Sequence, residues 1–496
     1  MRYLLLILAS ISLIVVSSCR KDFNTVPNFG ELEFSKDTVF LDTIFSNISS
    51  TTYTLKVYNR GNKAITIPEI KLENGITSKY RLNVDGVSGK NFTDVAILAK
   101  DSMYIFIENT VDYNSISTPL YTDKLLFDNG NKQQKVPLVT LIKDAHFIFP
   151  SKNNSDFKTL TIDGKNTKIA CRFLTDDELI FTDKKPYVIY GYATVPSDKT
   201  LTINAGTTIY FHKNSGLIID KKARLKINGT FDKKVTFQGD KLAHRYRKTP
   251  GQWGGIWIRK GSFGNNINHA VIKNGTVGIL VDNIEQKNSP TLLIKNTEIY
   301  NNSYYGILGR NTHIEAENLV IGNAGKASLA CISGGNYNFT HSTFANYWNN
   351  SMRQKPTVFI RNYNTFTDDN QTVKTITENL VKANFINCII EGNNNTELIF
   401  DKKEDGIFNY RIENSLIRGA SNNALNFNDT DHFKNILLNG NPHFKDIDEN
   451  DFRIGENSDA INKAKKTSIF NDILNISRKT TPDIGAYQHI TFKKNE

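Results

Sequence analysis

Between residues 201 and 419 apolar and polar positions alternate with period two inside short segments, and the segments repeat. Ile272, Ile299, Ile321, Phe344, Ile390 and Ile417 stand at equivalent places, about 22–27 residues apart with one gap of roughly double length, which is the period of a solenoid. Three positions before each stands His269, Asn296, Asn318, His341, Asn387 or Asn414. Two positions after each stands Asn274, Asn301, Asn323, Asn346, Gly392 or Gly419. The apolar partners five positions earlier are Ile267, Ile294, Ala316, Phe339, Phe385 and Ile412. Period-two alternation makes these units strands, not helices. Asn and Gly at the corners tolerate the left-handed backbone of a sharp bend. Stacked strands with such corners predict a parallel β-helix.

The Asn column has a second physical reason. Coils in such a stack lie about 4.8 Å apart, so equivalent amides can bond to those above and below. His269 and His341 fall in this column, where an imidazole substitutes for a ladder amide. A second column follows Gly216, Gly255, Gly278 and Gly306, whose next four residues are Leu-Ile-Ile-Asp, Ile-Trp-Ile-Arg, Ile-Leu-Val-Asp and Ile-Leu-Gly-Arg. First and third positions face inward. The outward positions are then Ile218, Trp257, Leu280 and Leu308, followed by Asp220, Arg259, Asp282 and Arg310. Two insertions flank the column. One is basic, with Lys241, His244, Arg245, Tyr246, Arg247 and Lys248; the other spans 353–378. Insertions in a solenoid gather on its binding face, so the 240–252 loop is expected to fold over Trp257 unless a ligand covers it.

The first part of the chain patterns differently. Thr38–Thr43, Tyr53–Tyr58, Ala64–Leu72, Tyr80–Val84, Ser102–Glu108, Lys124–Phe127 and Val136–Ile142 alternate between turn signals such as Asp85-Gly86. Short strands at this density predict a β-sandwich over 31–145, after a tether at 20–30 and before a connector at 146–185. The connector's Asp176-Asp177-Glu178 reads as a solvated turn, not a calcium site, because adjacent residues cannot all face one ion. The fold class is therefore all-β: an N-terminal β-sandwich, then a β-helix over 186–440, then a capping segment over 441–496 that covers the last coil.

Leu201-Thr202-Ile203-Asn204-Ala205-Gly206 recurs as Leu225-Lys226-Ile227-Asn228-Gly229-Thr230. With Trp253-Gly254-Gly255-Ile256-Trp257-Ile258, Asp451-Phe452-Arg453 and Pro482-Asp483-Ile484-Gly485-Ala486-Tyr487, the stretch 186–487 resembles the right-handed parallel β-helix repeat lipoproteins of Bacteroidota, which have a pectate-lyase-like solenoid. Ser458-Asp459-Ala460-Ile461 departs from their Ser-Pro-Ala-Ile motif at Asp459. The sandwich is similar to the immunoglobulin-like modules that precede larger domains in bacterial surface lipoproteins; it has no Cys…Trp…Cys signature, so the likeness is one of architecture only.

Charge and cysteines refine the picture. Net charge is +11, which favours acidic partners, while no nucleic-acid-binding motif is present. Leu4 to Val16 is apolar but too short for a stable membrane span, and Val16-Ser17-Ser18-Cys19 resembles the lipobox of bacterial lipoproteins. That resemblance implies cleavage before Cys19, acylation of its sulfur and anchoring to the bilayer. Arg20 and Lys21 lack the inner-membrane retention aspartate, which favours the outer membrane; a monomer is expected. Cys171, Cys331 and Cys388 have no metal-binding or disulfide spacing, and Cys388 falls among small core residues.

Solenoids of this kind include polysaccharide lyases. A lyase needs a cation against the uronate acid group and a base for the adjacent proton: Arg259 or Arg310 would serve, with Ca2+ held by Asp220 and Asp282. Opposite charges one rung apart satisfy one another instead, so no metal or cofactor is expected outside the lyase alternative. The reading is an outer-membrane lipoprotein whose β-helix binds carbohydrate or another anionic polymer through Trp257, Arg259, Arg310, Asp220, Asp282 and Tyr246. A polysaccharide lyase using the same face, or a purely structural or adhesive surface protein, are the alternatives.

Overall fold

The computed structural model describes residues 24–28, 30–128, 132–153, 156–162, 164–282, 289–367, 371–420 and 425–492. Cys19 and the leader lie outside the described residues. Among the described residues no helix is long and apolar enough to cross a membrane. The chain divides into two compact units, Met1–Asp144 and Ala145–Glu496.

The first unit is a β-sandwich. One sheet contains Val39–Phe45, Ile65–Leu72, Asn91–Ile97, Leu120–Asp128 and Gln133–Lys143; the other contains Tyr53–Tyr58, Tyr80–Val84, Val87–Gly89 and Ser102–Asn109. Alternation explains the core. Leu55 and Val57 of one sheet and Ile67, Leu125, Phe127 and Leu138 of the other point inward and are fully buried. Asn91–Ile97 escaped the sequence reading because its outward residues Thr93 and Asp94 and the positive φ of Asp94 dilute the strand signal. Residues expected to be a free tether contribute a strand as well: Val26–Pro27 pairs parallel with Ile65 and Thr66.

The second unit is a parallel β-helix of three stacked strand columns. The Gly-led column includes Gly216–Ile219, Gly255–Ile258 and Val277–Val281. A middle column includes Thr200–Asn204, Arg224–Asn228 and Asn265–Asn268. A third includes Thr208–Phe211, Val235–Gly239 and Ala270–Lys273. Inward residues of all three form one continuous core, in which like stacks on like: Phe339 and Phe385 lie 5.2 Å apart and Phe211 and Trp253 lie 4.2 Å apart. Each buried Ile, Leu or Phe contributes about 1.5–3 kcal/mol, so the core holds a coil that no isolated turn would.

The solenoid starts earlier than 186. His146–Ile148 pairs with Tyr187–Ile189, Cys171–Phe173 with Tyr192–Thr194, and Ile180–Phe181 with Thr202–Ile203. The segment expected as a connector is therefore the first coil, disguised by the antiparallel hairpin Thr159–Ile162/Lys165–Phe173 inserted in it. Asp176-Asp177-Glu178 forms a short 3₁₀ turn after Thr175, with Glu178 bonded to Arg172 at 2.5 Å and Asp176 to Lys199 at 2.7 Å.

His269, Asn296, Asn318, His341, Asn387 and Asn414 all adopt φ between 48° and 55°, the left-handed bend anticipated for the column. Asn435 continues it at φ 53°. The side-chain ladder is broken into pieces. Asn318 donates to Asn296 at 2.9 Å and Asn296 donates to Asn268, not His269, at 3.0 Å. Asn387 donates to His341 Nε2 at 2.9 Å. Between Asn318 and His341 the register expected an amide–imidazole contact; the Arg478 guanidinium occupies that place, donating to Asn318 Oδ1 at 3.2 Å.

Arg478 belongs to the C-terminal segment, which does not cap the last coil. At that coil Leu425, Phe427 and Ile436 pack on the core instead. The segment from 441 folds back along the third column, where Val320, Ala345, Ile389 and Leu416 face outward. Phe452, Ile454, Ile473, Ile484 and Tyr487 seal them. Polar contacts pin its whole length: Asn414 to Lys463 O at 3.0 Å, Asn387 to Lys465 O at 2.8 Å, Asn323 to Asn450 at 2.8 Å and Arg247 to Glu449 at 2.8 Å. A row of outward apolar residues has to be covered, and the chain covers this one with its own end.

Candidate functional site

The Gly-led column is brought close to its neighbours by the absence of side chains at its first position. A Cβ on Gly255 would lie 2.1 Å from Val277 O, and one on Gly278 would lie 2.5 Å from Gly306 O. No larger residue fits there. The register then aligns Ile218, Trp257, Leu280 and Leu308 on successive rungs.

The outward row that these four residues form is partly covered by the hairpin in the first coil. Leu160, Ile162, Ile169 and Cys171 pack with Ile218 and Trp257, leaving Ile218 fully buried and Trp257 half-buried. The cover of Trp257 is thus the 159–173 hairpin, not the 240–252 insertion. That insertion leaves the solenoid after Gly239, at the corner beside the returning C-terminal segment. Tyr246 sits there between the Lys241 ammonium at 4.8 Å and the Arg245 guanidinium at 4.9 Å, and Arg247 and Lys248 pair with Glu449. Tyr246 is therefore separated from the other five residues assigned to one face, and its loop fastens the tail.

The other five converge. Trp257 Nε1 donates to Asp282 Oδ2 at 2.7 Å, and Arg310 Nε donates to Asp282 Oδ1 at 2.6 Å. Arg259 Nη1 donates to Asp220 Oδ1 at 2.6 Å, and its guanidinium lies 5.9 Å from the Trp257 ring centre. Each carboxylate is mostly buried and neutralised by the arginine one rung on. Both are engaged, and a calcium ion would have to displace an arginine from each. The Arg310 side chain keeps 43% of its surface exposed, so one guanidinium face remains available.

Trp257, Arg259, Asp282 and Arg310 line a groove of about 700 Å³, with Asp220 behind Arg259. Lys221, Arg259, Lys260 and Arg310 contribute cations against Asp282 and Glu378, and Asn311, Ser333 and Asn364 contribute neutral hydrogen-bonding groups. Ile162 of the first-coil hairpin and Ile376 of a second hairpin, Tyr363–Thr367/Val373–Thr377, form its walls. The 353–378 insertion therefore reaches this face, whereas the basic insertion does not. The sequence reading missed Lys260, Asn311, Asn364 and Glu378. It also stopped at Arg310, although the register continues through Ile332 and sets Arg361 opposite Asp401 on later rungs. A signal existed in Val358–Arg361, but the insertion broke the spacing that would have revealed it.

The cysteines take no part. Cys171, Cys331 and Cys388 are free and buried, and burial pushes the Cys388 thiol up to about 12, far from a reactive thiolate. The column histidine His341 is held down to about 3, first by burial and then by the Arg478 cation beside it. A neutral imidazole accepting an amide proton is a structural group.

Comparison with known proteins supports the β-helix over part of its length. No curated protein matches the chain. Among solved structures, a family 123 glycoside hydrolase from Clostridium perfringens, described for glycolipid glycan hydrolysis, aligns over 24% of this chain and 30% of its own, at 7% identity and a TM-score of 0.17. The alignment spans less than a third of that enzyme. Residues 173–278 match the family model described as a pectate-lyase like beta helix domain. Over that stretch the chain is similar to the pectate-lyase-like β-helix domains, and its three strand columns run beyond the match on both sides, from residue 146 to residue 438.

Proposed function

We propose that the protein is an outer-membrane lipoprotein, anchored through an acylated Cys19, whose β-helix binds an acidic polysaccharide in the groove beside Trp257. The observation that carries the binding reading is the groove's composition: an indole and four cations against two carboxylates, with amide and hydroxyl groups beside them. Indole faces suit the apolar faces of sugars, and exposed guanidinium suits their acid groups. Binding without catalysis is favoured over lyase action because Asp220 and Asp282 are already engaged by Arg259 and Arg310.

The test is a titration of the purified protein with polygalacturonate, alginate and neutral dextran, with absorbance monitored near 235 nm (about where unsaturated uronate products absorb). Saturable binding of an acidic polymer with no rise in absorbance is expected. A steady rise would replace this reading with the lyase. For the anchor, Cys19→Ser is expected to move the protein from the membrane pellet to the soluble fraction; unchanged pelleting refutes it.

A further inference from the structure

The sandwich unit carries an exposed aromatic strip on one of its sheets. On the outer face of its smaller sheet, the outward residues of Ser102–Asn109 include Tyr104 and Phe106, exposed by 43% and 41%. Their rings lie 6.2 Å apart and within 12° of parallel, so they form one flat apolar strip. The neighbouring strands place polar groups against it. Lys56 is in register with Tyr104, and Thr54 and Asn83 are in register with Phe106 on either side. The Lys56 ammonium lies 4.5 Å from the Tyr104 ring centre and has no carboxylate partner among the described residues. A hollow of about 490 Å³ runs beside Phe106, lined by Arg81, Asn83, Ser88 and Lys90 with Glu108 as its acidic group.

We infer that this face of the sandwich is a second polysaccharide-binding surface, taking an acidic sugar chain stacked across Tyr104 and Phe106 with an acid group at Lys56. The inference is independent of the groove in the β-helix. Two features favour a sugar over a protein partner. The centres of protein interfaces are depleted of lysine, whereas here Lys56 lies directly against the Tyr104 ring. The groups around the rings are polar throughout, hydroxyl, amide, ammonium and guanidinium with one carboxylate, which suit a hydroxyl-rich, wet ligand. Lys56 provides the charge complementarity, since Arg81 lies against Glu108 at 3.5 Å and the Lys90 ammonium donates to the Ile76 and Ser78 carbonyls at 2.8 and 2.6 Å.

The test uses the full-length protein in native gels containing polygalacturonate, alginate, heparin or neutral dextran, with retardation read as affinity. The Tyr104→Ala/Phe106→Ala double variant is expected to bind the acidic polymers about tenfold more weakly with an unchanged melting temperature, since both rings are surface groups. Lys56→Gln leaves the rings intact and is expected to flatten the salt dependence of retardation. Arg310→Ala runs alongside as the groove variant. Loss in the double variant supports this surface: with loss in Arg310→Ala as well, both surfaces bind, and with Arg310→Ala unaffected the groove is removed. Loss only in Arg310→Ala, wild-type retardation of both sandwich variants, or no retardation of the wild type by any acidic polymer overturns it.

Discussion

Two outer faces of the same solenoid meet the same problem in opposite ways. The third strand column turns Val320, Ala345, Ile389 and Leu416 outward, and the chain's last residues lie over them so completely that Phe452, Ile454 and Ile484 are themselves core. The Gly-led column also turns large apolar residues outward. There the cover is partial: the 159–173 hairpin hides Ile218 and one side of Trp257, and a groove of about 700 Å³ is left between it and the 363–377 hairpin. Rung geometry is common to both, so the difference lies in what was added to the coils. An outward apolar row is structural where the chain covers it and available to a ligand where it does not.

The strongest way to break the comparison is to open the covered face. Phe452→Ala removes a fully buried ring that packs against Tyr300, Tyr347 and Phe444. It is expected to cost about 3–5 kcal/mol in urea unfolding while leaving glycan binding in the groove intact. Loss of binding at full stability would show that the covered face had been misread.

A second contrast is in acid. Burial and the Arg478 cation depress His341 from the ordinary histidine value of 6.5 to about 3. Its contribution to stability is therefore complete above pH 6.5 and is lost as pH falls toward 3, because the unfolded chain takes up the proton first. His341→Asn keeps a ladder partner for Asn387 without the titration. The stability difference between variant and wild type is expected to shift in the variant's favour by about 3 kcal/mol between pH 7 and pH 4. A difference constant with pH would remove His341 as the acid-sensitive group.

Trp257 tests the boundary between the faces, since it is half plug and half groove wall. Trp257→Ala is expected to lower stability by about 2 kcal/mol, less than a fully buried aromatic would, and to abolish glycan binding. Lost stability with unchanged binding assigns the indole to the hairpin alone. The smallest effect belongs to Arg310→Ala. Its partly exposed ion pair with Asp282 contributes little to folding, so the melting temperature is expected to stay put while affinity for acidic polymers falls about tenfold, measured by calorimetry.

How much of this was legible beforehand follows from range. Side-chain alternation and left-handed corners are local properties, and the column from His269 to Asn414 was found because each coil repeats the same backbone demand within about 30 residues. The pairing of Arg259 with Asp220 and of Arg310 with Asp282 was legible for the same reason, since stacked rungs convert a sequence offset into a contact. What failed was everything contributed by segments without the repeat. The hairpin at 159–173 masked the first coil, and the insertion at 353–378 hid Arg361 and Asp401. The destination of the 240–252 loop was also wrong, and Tyr246 went with it. Nothing in Lys241 to Lys248 specifies which edge of a coil its loop leans on.

The sequence by itself determined the repeating unit, the residues that face the core and the columns of like residues that stacking creates, because all of these follow from backbone preferences and a fixed period. The tertiary structure alone decided which outward rows are closed. That choice depends on where the segment from 441 onward, with no period of its own, comes to rest. Arg478 shows the physical reason in one residue: in the sequence it is one of two adjacent cations in a C-terminal loop, and in the fold it donates to Asn318, Gly485 and Gln488. Only burial beside unpaired acceptors, brought together from distant parts of the chain, gives that guanidinium its place.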